Sequence, residues 1–414
     1  MYWEKFSHKK IKEIVFQALK NNLDYRTEDV LGLPATYLDP EVFYQDAPFL
    51  NDAPYMQTMV ANPNHIGCHT LGEAEPAFLG TQAIERELID LCASQIFSAE
   101  PESYDGYVAS GGTEANIESL WVHRNLFIRK YEARLDEIGV VYSQDTHYSI
   151  PKGVNLLGLK SIILSVDDDN RSIQFEEMKL AVTNAKTQGV KYFILIMNMS
   201  TTMFGSVDDV NQAMEVMNAL EAEYCIHVDG AYGGFIYPFT RTEISLTFQN
   251  PKVNSFSLDA HKLVQSPYGT GICLLRKGLI QYALTEEAQY VKGKDYTLVG
   301  SRSGANAIAV WMILRTYGSE GWKAKILKLI ERTDRLCENL DERRIRYFRN
   351  PAMNIVTIKA EDVPDQLAKQ FLLVPDTHEG EPQWFKIVVM EHVSQGKIDK
   401  FLLAWDDWKQ SHSL

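Results

Sequence analysis

The chain has 414 residues, 55 acidic and 41 basic, giving a formal charge of 41 − 55 = −14. That balance argues against nucleic acid or an anionic membrane as partner, because both attract basic patches. No run approaches the roughly 20 apolar residues of a membrane span, and the length exceeds one ordinary core, so a large and a smaller domain are expected.

Residues 11–21 read as an amphipathic helix of mixed charge, unlike a signal peptide. Pro-punctuated chain follows to about residue 60. Five cysteines lack metal-ligand or disulfide spacing, and Cys225 and Cys273 fall inside apolar runs, as small core residues do. No metal is expected, and a reducing cytoplasm suits this usage. From residue 81 onward short apolar runs alternate with helical stretches. Helices are expected over 84–97, 114–135 and 208–222. Strands are expected over 106–109, 140–142, 162–164, 192–197, 226–228, 255–257 and 272–275. Continuous apolar runs between helices mark a mostly parallel sheet covered on both faces, here of seven strands in an α/β fold. A helix over 305–340, broken at 318–321, then leads to strands at 354–358 and 384–390 and a helix at 397–408, a small α+β domain. The expected organisation is therefore residues 1–60 as an N-terminal arm, 61–300 as a large cofactor-binding domain, and 301–414 as linking helix and small domain.

Two segments carry the chemistry. His227-Val228-Asp229-Gly230-Ala231-Tyr232 closes one apolar run, and Asp259-Ala260-His261-Lys262 closes a later one. A strand-end aspartate and a strand-end lysine are what pyridoxal phosphate needs: the amine forms a Schiff base with the aldehyde, and the carboxylate pairs with the pyridinium nitrogen. Lysines at strand ends are usually solvated, but the apolar neighbours Leu258, Leu263 and Val264 imply burial, which lowers a lysine's pKa. Ser110-Gly111-Gly112-Thr113-Glu114-Ala115-Asn116 joins a strand to a helix. By itself it is a turn needing glycine. Beside the Asp229 and Lys262 pair it reads as a phosphate cradle, with Gly112 admitting close backbone approach and Thr113 as N-cap. There is no G-x-G-x-x-G and no GKS or GKT, so a nucleotide fold has little support. His147 follows a strand and can stack on the cofactor ring or be a polar loop histidine. Asn198 ends a strand where a cofactor hydrogen bond is available. His227 shares a strand face with Asp229 and lines the site or sits in the core. His261 can reach the phosphate. Tyr290 lies in a polar stretch able to close over a site and return a proton.

Together, Ser110 to Asn116, His147 with Ser149 and Lys152, His227 to Ala231, Asp259 to Lys262, and Gly300-Ser301-Arg302-Ser303-Gly304 resemble the group II pyridoxal-phosphate-dependent amino-acid decarboxylases, of the aspartate aminotransferase-like fold type I superfamily. The short loop ending in GSRSG is similar to that of compact bacterial histidine and archaeal tyrosine/aspartate decarboxylases. The resemblance implies that Gly112 and Thr113 bind phosphate, His147 stacks on the ring, Asn198 hydrogen-bonds the cofactor, Asp229 pairs with the ring nitrogen and Lys262 carries the Schiff base. It also implies that His261 neighbours the phosphate and that Ser301 comes from the other subunit of a homodimer with shared active sites. Gly230 stands where such enzymes usually have alanine, and residues 62–69 depart from the common His-Pro form.

The implied reaction is decarboxylation of an L-amino acid, with an aromatic or acidic side chain favoured and with Lys262, His147 and Tyr290 as catalytic residues. A different carbon–carbon or carbon–sulfur lyase on the same fold, like cysteine desulfurase or sphingosine-phosphate lyase, is the alternative. A desulfurase needs a loop cysteine, and Cys68 is the one candidate. A transaminase needs a carboxylate-binding arginine, for which Arg346 and Arg349 are the candidates.

Overall fold

The structure, a computed structural model, describes residues 1–24, 27, 46–61, 64–66, 75–284 and 294–412. The chain begins with helix α1 (His8–Asn21), capped by the Ser7 side chain. Ahead of it, Trp3 donates to Leu314 O at 2.8 Å, so the first residues are pinned to a helix three hundred positions away. Helix α2 (Pro54–Ala61) and the short strand β1 (Asn64–Ile66) precede helix α3 (Leu79–Asp90), which runs on through a π-helical turn at Leu91–Ile96.

The main sheet is built from β2 (Tyr104–Ala109), β3 (Ile138–Ser143), β4 (Lys160–Leu164), β5 (Tyr192–Asn198), β6 (Glu223–Asp229), β7 (Val253–Asp259) and β8 (Gly271–Arg276). Its spatial order is β2-β8-β7-β6-β5-β3-β4. All neighbours are parallel except β8, which runs antiparallel to both β2 and β7. Seven expected strands therefore fall in one sheet. Strand alternation shows why both faces are apolar. In β5, Phe193, Leu195 and Met197 join the core on one face, whereas Ile194 and Ile196 join the core on the other. The crossovers are helices α4 (Gly112–Tyr131), α5 (Ser149–Leu156), α6 (Phe175–Thr187) and α7 (Val210–Ala219). Neither α5, of eight residues, nor α6, of thirteen, is expected from the sequence.

Beyond a one-turn helix, α8 (Tyr237–Thr240), strand β9 (Ser301–Ser303) returns to pair with β1. This ribbon is locked by a buried cluster. His65 lies 2.7 Å from Glu85 and 2.9 Å from Thr81, and Arg302 is ion-paired with Glu85. Glu85 in turn accepts from Val108 N at 2.8 Å. Burial by itself raises the Glu85 carboxyl, but Arg302 and His65 more than offset it and hold it well below the carboxylate range. The ribbon is thereby tied to β2 just ahead of the glycine turn.

Helix α9 (Gly304–Glu342) bends at Gly318, whose φ of 66° interrupts the helix where the sequence reading expected a break. A Cβ there would lie 2.8 Å from Lys5 Cβ, so the arm packs where no side chain fits. The C-terminal unit is an antiparallel sheet of β10 (Tyr347–Phe348), β11 (Ile355–Lys359), β12 (Val374–Pro375) and β13 (Trp384–Val388), in the order β10-β11-β13-β12. Helices α10 (Asp365–Gln370) and α11 (Gln395–His412) complete it, around Val356, Ile358, Phe385, Phe401 and Trp405.

Candidate active site

Strands β2, β3, β5, β6 and β7 run the same way, so their carboxyl ends meet on one edge of the sheet. Open α/β sheets bind ligands at such an edge. Asp229 ends β6 and Asp259 ends β7. His147 follows β3, and the Ser110–Gly112 turn follows β2. Between them lies a pocket of about 510 Å³, lined among others by Gly112, Thr113, His147, Asp259, His261 and Lys262.

Asp229 is buried and accepts three hydrogen bonds. Ala231 N donates to Oδ1 at 3.0 Å, Ser257 Oγ to Oδ1 at 3.3 Å, and Asn116 Nδ2 to Oδ2 at 2.9 Å. No cation among the described residues pairs with it, and two of its hydrogen-bond partners, Asn116 and Ala231, line the pocket. Asn116 also donates to Ser149 Oγ at 2.8 Å, and Ser149 Oγ lies 2.8 Å from His147 Nδ1. The Ser149 amide points at the same nitrogen at 3.3 Å. Nδ1 therefore accepts, and the His147 proton sits on Nε2. Burial, aided by Lys262 and Lys152 and opposed by Asp229, lowers the His147 pKa and keeps the ring neutral.

Asp259 organises the other side. Gly112 N donates to its Oδ1 at 3.1 Å. His261 Nδ1 lies 3.0 Å from Oδ1 and Lys262 Nζ 3.4 Å from Oδ2. Burial pushes the Asp259 carboxyl up, against the pull of Lys262 and His261. A Cβ on Gly112 would stand 3.0 Å from Asp259 Oδ2 and 3.2 Å from Ala231 Cβ. A side chain here is admitted only if Asp259 or Ala231 gives way by a few tenths of an ångström.

Several expectations need correction. The N-cap of α4 is Gly111, and Thr113 is the second helical residue; Glu114 reaches back to accept from Ser110 N at 2.7 Å, which fixes the turn without a threonine cap. Leu263 and Val264 are buried, but Lys262 keeps 30% of its side chain exposed in the open pocket. His227 does not line the pocket; it is wholly buried, between Asn116 and Ser255. Asn198 commits its side-chain N–H groups to Asp208 at 2.7 Å and Thr146 at 2.9 Å, so it buttresses the loop leading to His147. Burial raises the pKa of that Asp208 to about 7. Ser301 is exposed on the β1–β9 ribbon, outside this chain's own pocket lining. Tyr290 and Cys68 lie outside the described residues; Cys92, Cys225, Cys273 and Cys337 are all buried. Arg346 is paired with Glu361 and Asp362, each at 2.7 Å, and Arg349 with Asp334 at 2.6 Å, so neither arginine is offered to a substrate.

Three residues escaped the sequence reading. Asn116 stands inside the glycine motif without a signal for its role. Asp259 was visible only as a neighbour of Lys262. Lys386, on β13, donates to Thr202 O at 3.0 Å, and burial together with the charge of Lys262 lowers its pKa. Nothing local in the sequence ties that lysine to the site.

The donor set fits pyridoxal phosphate. It comprises a glycine turn opening a helix N-terminus, a buried carboxylate with no cation partner among the described residues, a neutral histidine, and a partly exposed lysine held beside Asp259. Residues 50–358 match the family described as the pyridoxal-dependent decarboxylase conserved domain. A tryptophan decarboxylase of Clostridium sporogenes is 47% identical over 411 residues, covering 99% of both chains. A probable L-tyrosine/L-aspartate decarboxylase of Methanocella arvoryzae is 30% identical over 84% of this chain and 92% of that one. Among solved structures, L-methionine decarboxylase from Streptomyces sp.590 superposes with a TM-score of 0.71 at 19% identity, covering 96% and 93% of the two chains. The sphingosine-1-phosphate lyase of Burkholderia pseudomallei does so with 0.68 at 18% identity, covering 79% and 76%; at these identities the likeness concerns the fold. The matched family model and the full-length relative agree with the strand-end geometry, and the chain belongs to the pyridoxal-dependent decarboxylases, enzymes that use pyridoxal phosphate to decarboxylate amino acids.

Proposed function

We propose that the substrate is an aromatic L-amino acid, tryptophan first, and that Lys262 is the lysine that holds the cofactor. The observation that carries the site assignment is the delivery of Asp229 and Lys262 to one sheet edge beside the open first turn of α4. Bound pyridoxal phosphate supplies the electron sink for the pair left on the α-carbon when CO₂ departs. The protein's own groups do the rest. The amides of Thr113 and Glu114 lie in the first turn of α4, where N–H groups lack an intrahelical acceptor, and with the positive end of α4 they would hold the phosphate, Gly112 keeping the approach open and His261 alongside. Asp229 would favour a proton on the ring nitrogen by its charge. His147 would lie against the ring, on a loop that Asn198 steadies through Thr146. Tyr290 returns a proton to the α-carbon, with His147 and Lys262 as the other candidates.

The aromatic reading rests on two supports. One is the relative that is a tryptophan decarboxylase. The other is a pocket wall of Ile117, Tyr148, Ala231, Leu298 and Val299 with no arginine among the described lining residues, which favours an apolar side chain over an acidic one. Lys386 is assigned to the substrate carboxylate. The proposal extends to a cytoplasmic homodimer in which the exposed Ser301 serves the partner's site, and to the division into 1–60, 61–300 and 301–414. Among the described residues no helix is long and apolar enough to cross a membrane.

The test is CO₂ and amine release from a panel of L-amino acids by the pyridoxal-phosphate-loaded enzyme and its Lys262→Ala variant. Equimolar CO₂ and tryptamine from tryptophan, absent in the variant, is the expected result. Faster turnover of aspartate or glutamate overturns the substrate assignment, and an active variant overturns the lysine.

A further inference from the structure

Behind Asp229 runs a line of buried polar side chains that the reaction does not touch. His123 Nε2 lies 2.8 Å from Ser255 Oγ, Ser255 Oγ lies 2.8 Å from His227 Nδ1, and His227 Nε2 lies 2.9 Å from Asn116 Oδ1. Asn116 is 1% exposed; the other three are wholly buried. A buried polar chain of this length is costly unless every member has its partner, so the hydrogen placement can be followed link by link.

Asp229 can only accept, so Asn116 must turn Nδ2 toward it. Its second Nδ2 hydrogen goes to Ser149 Oγ, and its Oδ1 is left to accept from His227. His227 therefore carries its proton on Nε2, and its Nδ1 accepts from the Ser255 hydroxyl. Ser255 Oγ then accepts from His123 Nε2, and the line ends on the lone pair of His123 Nδ1, which has no partner. Every donor in the line points toward Asp229. On the other branch, Ser149 accepts from Asn116 and passes its own hydrogen to His147 Nδ1. One amide thus sets the direction of hydrogen bonding at two histidines and at the carboxylate.

We infer that Asn116 is a positioning residue that orients Asp229 and His147 together, with His227, Ser255 and His123 as the backing that fixes its amide. This rests on the pyridoxal phosphate site described above. Reversal of the amide would set Oδ1 against the Asp229 carboxylate, so the carboxylate makes the orientation single-valued and the imidazole behind it supplies the donor that Oδ1 then needs.

The experiment titrates apo-protein with pyridoxal phosphate, following the absorbance of the bound cofactor, for wild type, Asn116→Ala, His227→Leu and His227→Gln. Nitrogen NMR of the histidine rings in the wild type is recorded in parallel. Asn116→Ala is expected to weaken cofactor binding by about 10- to 100-fold, the usual cost of losing an outer-shell partner, and to shift the pH titration of the cofactor absorbance. His227→Leu should follow it, and His227→Gln, which keeps a donor toward Oδ1, should stay near wild type. A merely structural role lowers the melting temperature of both His227 variants and leaves absorbance and affinity unmoved, which overturns the inference. So does an Nδ1–H form of His227 or His147 in the wild type, a result that needs no variant to fold. If the wild type itself takes up no cofactor, the pyridoxal phosphate reading fails and the inference with it; cofactor uptake by wild type and Asn116→Ala alike sinks the inference alone.

Discussion

Gly112→Ala separates stability from function. A methyl group at this position gains up to about 1 kcal/mol of helix propensity and unfolded-state entropy. Against that, it would sit 3.0 Å from Asp259 Oδ2, 3.4 Å from its Cγ and 3.2 Å from Ala231 Cβ, and overpacking of this kind costs about 1–3 kcal/mol. The net is a loss of up to about 2 kcal/mol, so the melting temperature should fall by only a few degrees. The side chain able to give way is Asp259. If it swings aside, Gly112 N loses its acceptor and Lys262 and His261 lose their counter-charge. The same 1–3 kcal/mol then appears as about 5- to 150-fold weaker cofactor binding. Thermal unfolding, cofactor titration and amine release on the same preparation measure all three. A variant that loses many degrees of stability but keeps wild-type cofactor affinity would refute the reasoning.

Asp229→Asn keeps the shape of the site but removes the charge, and should lower turnover by about 100-fold or more, as loss of a preorganised electrostatic group does; the readout is kcat for amine formation. Lys386→Met should raise KM for the amino acid more than it lowers kcat, and should leave cofactor affinity alone; an unchanged KM removes Lys386 from the site. Burial lowers the pKa of His227 to about 4 and of His123 to about 3, with Asp229 opposing at His227 and the charge of His227 adding at His123. Both are thus depressed from 6.5 in the unfolded chain, so their stabilising effect is full above pH 6.5 and is lost as pH falls toward 4 and 3. The unfolding free energy from urea titrations should fall between pH 7 and pH 4.5 by an amount on the order of several kcal/mol, and the double variant His123→Phe, His227→Gln should flatten that slope.

The strand-end chemistry was legible early because the reacting groups lie next to their strands in sequence. Asp229 closes β6 and Lys262 follows β7 by three residues, and a continuous apolar run that stops at a charged residue is a local pattern. The seven strands and the kink at Gly318 were legible for the same reason. Helix α5 was not, having only eight residues, and α6 was not either, although its thirteen residues exceed the ten of the expected α7.

Position along the chain also misled where a side chain's partner is remote. His227 alternates with Asp229 and so shares its strand face, yet Asn116, 111 residues away, stands between it and the pocket. Lys386 comes within electrostatic reach of Lys262 only because β13 pairs with β11 across the small domain. Apolar periodicity and the residues that end each run determine which strands exist and which chemistry they can carry, since burial and backbone hydrogen bonding are satisfied locally. Which hydrogen goes to which acceptor is decided only by the tertiary structure, because a buried donor must find its partner among residues that the fold, and not the sequence, makes neighbours.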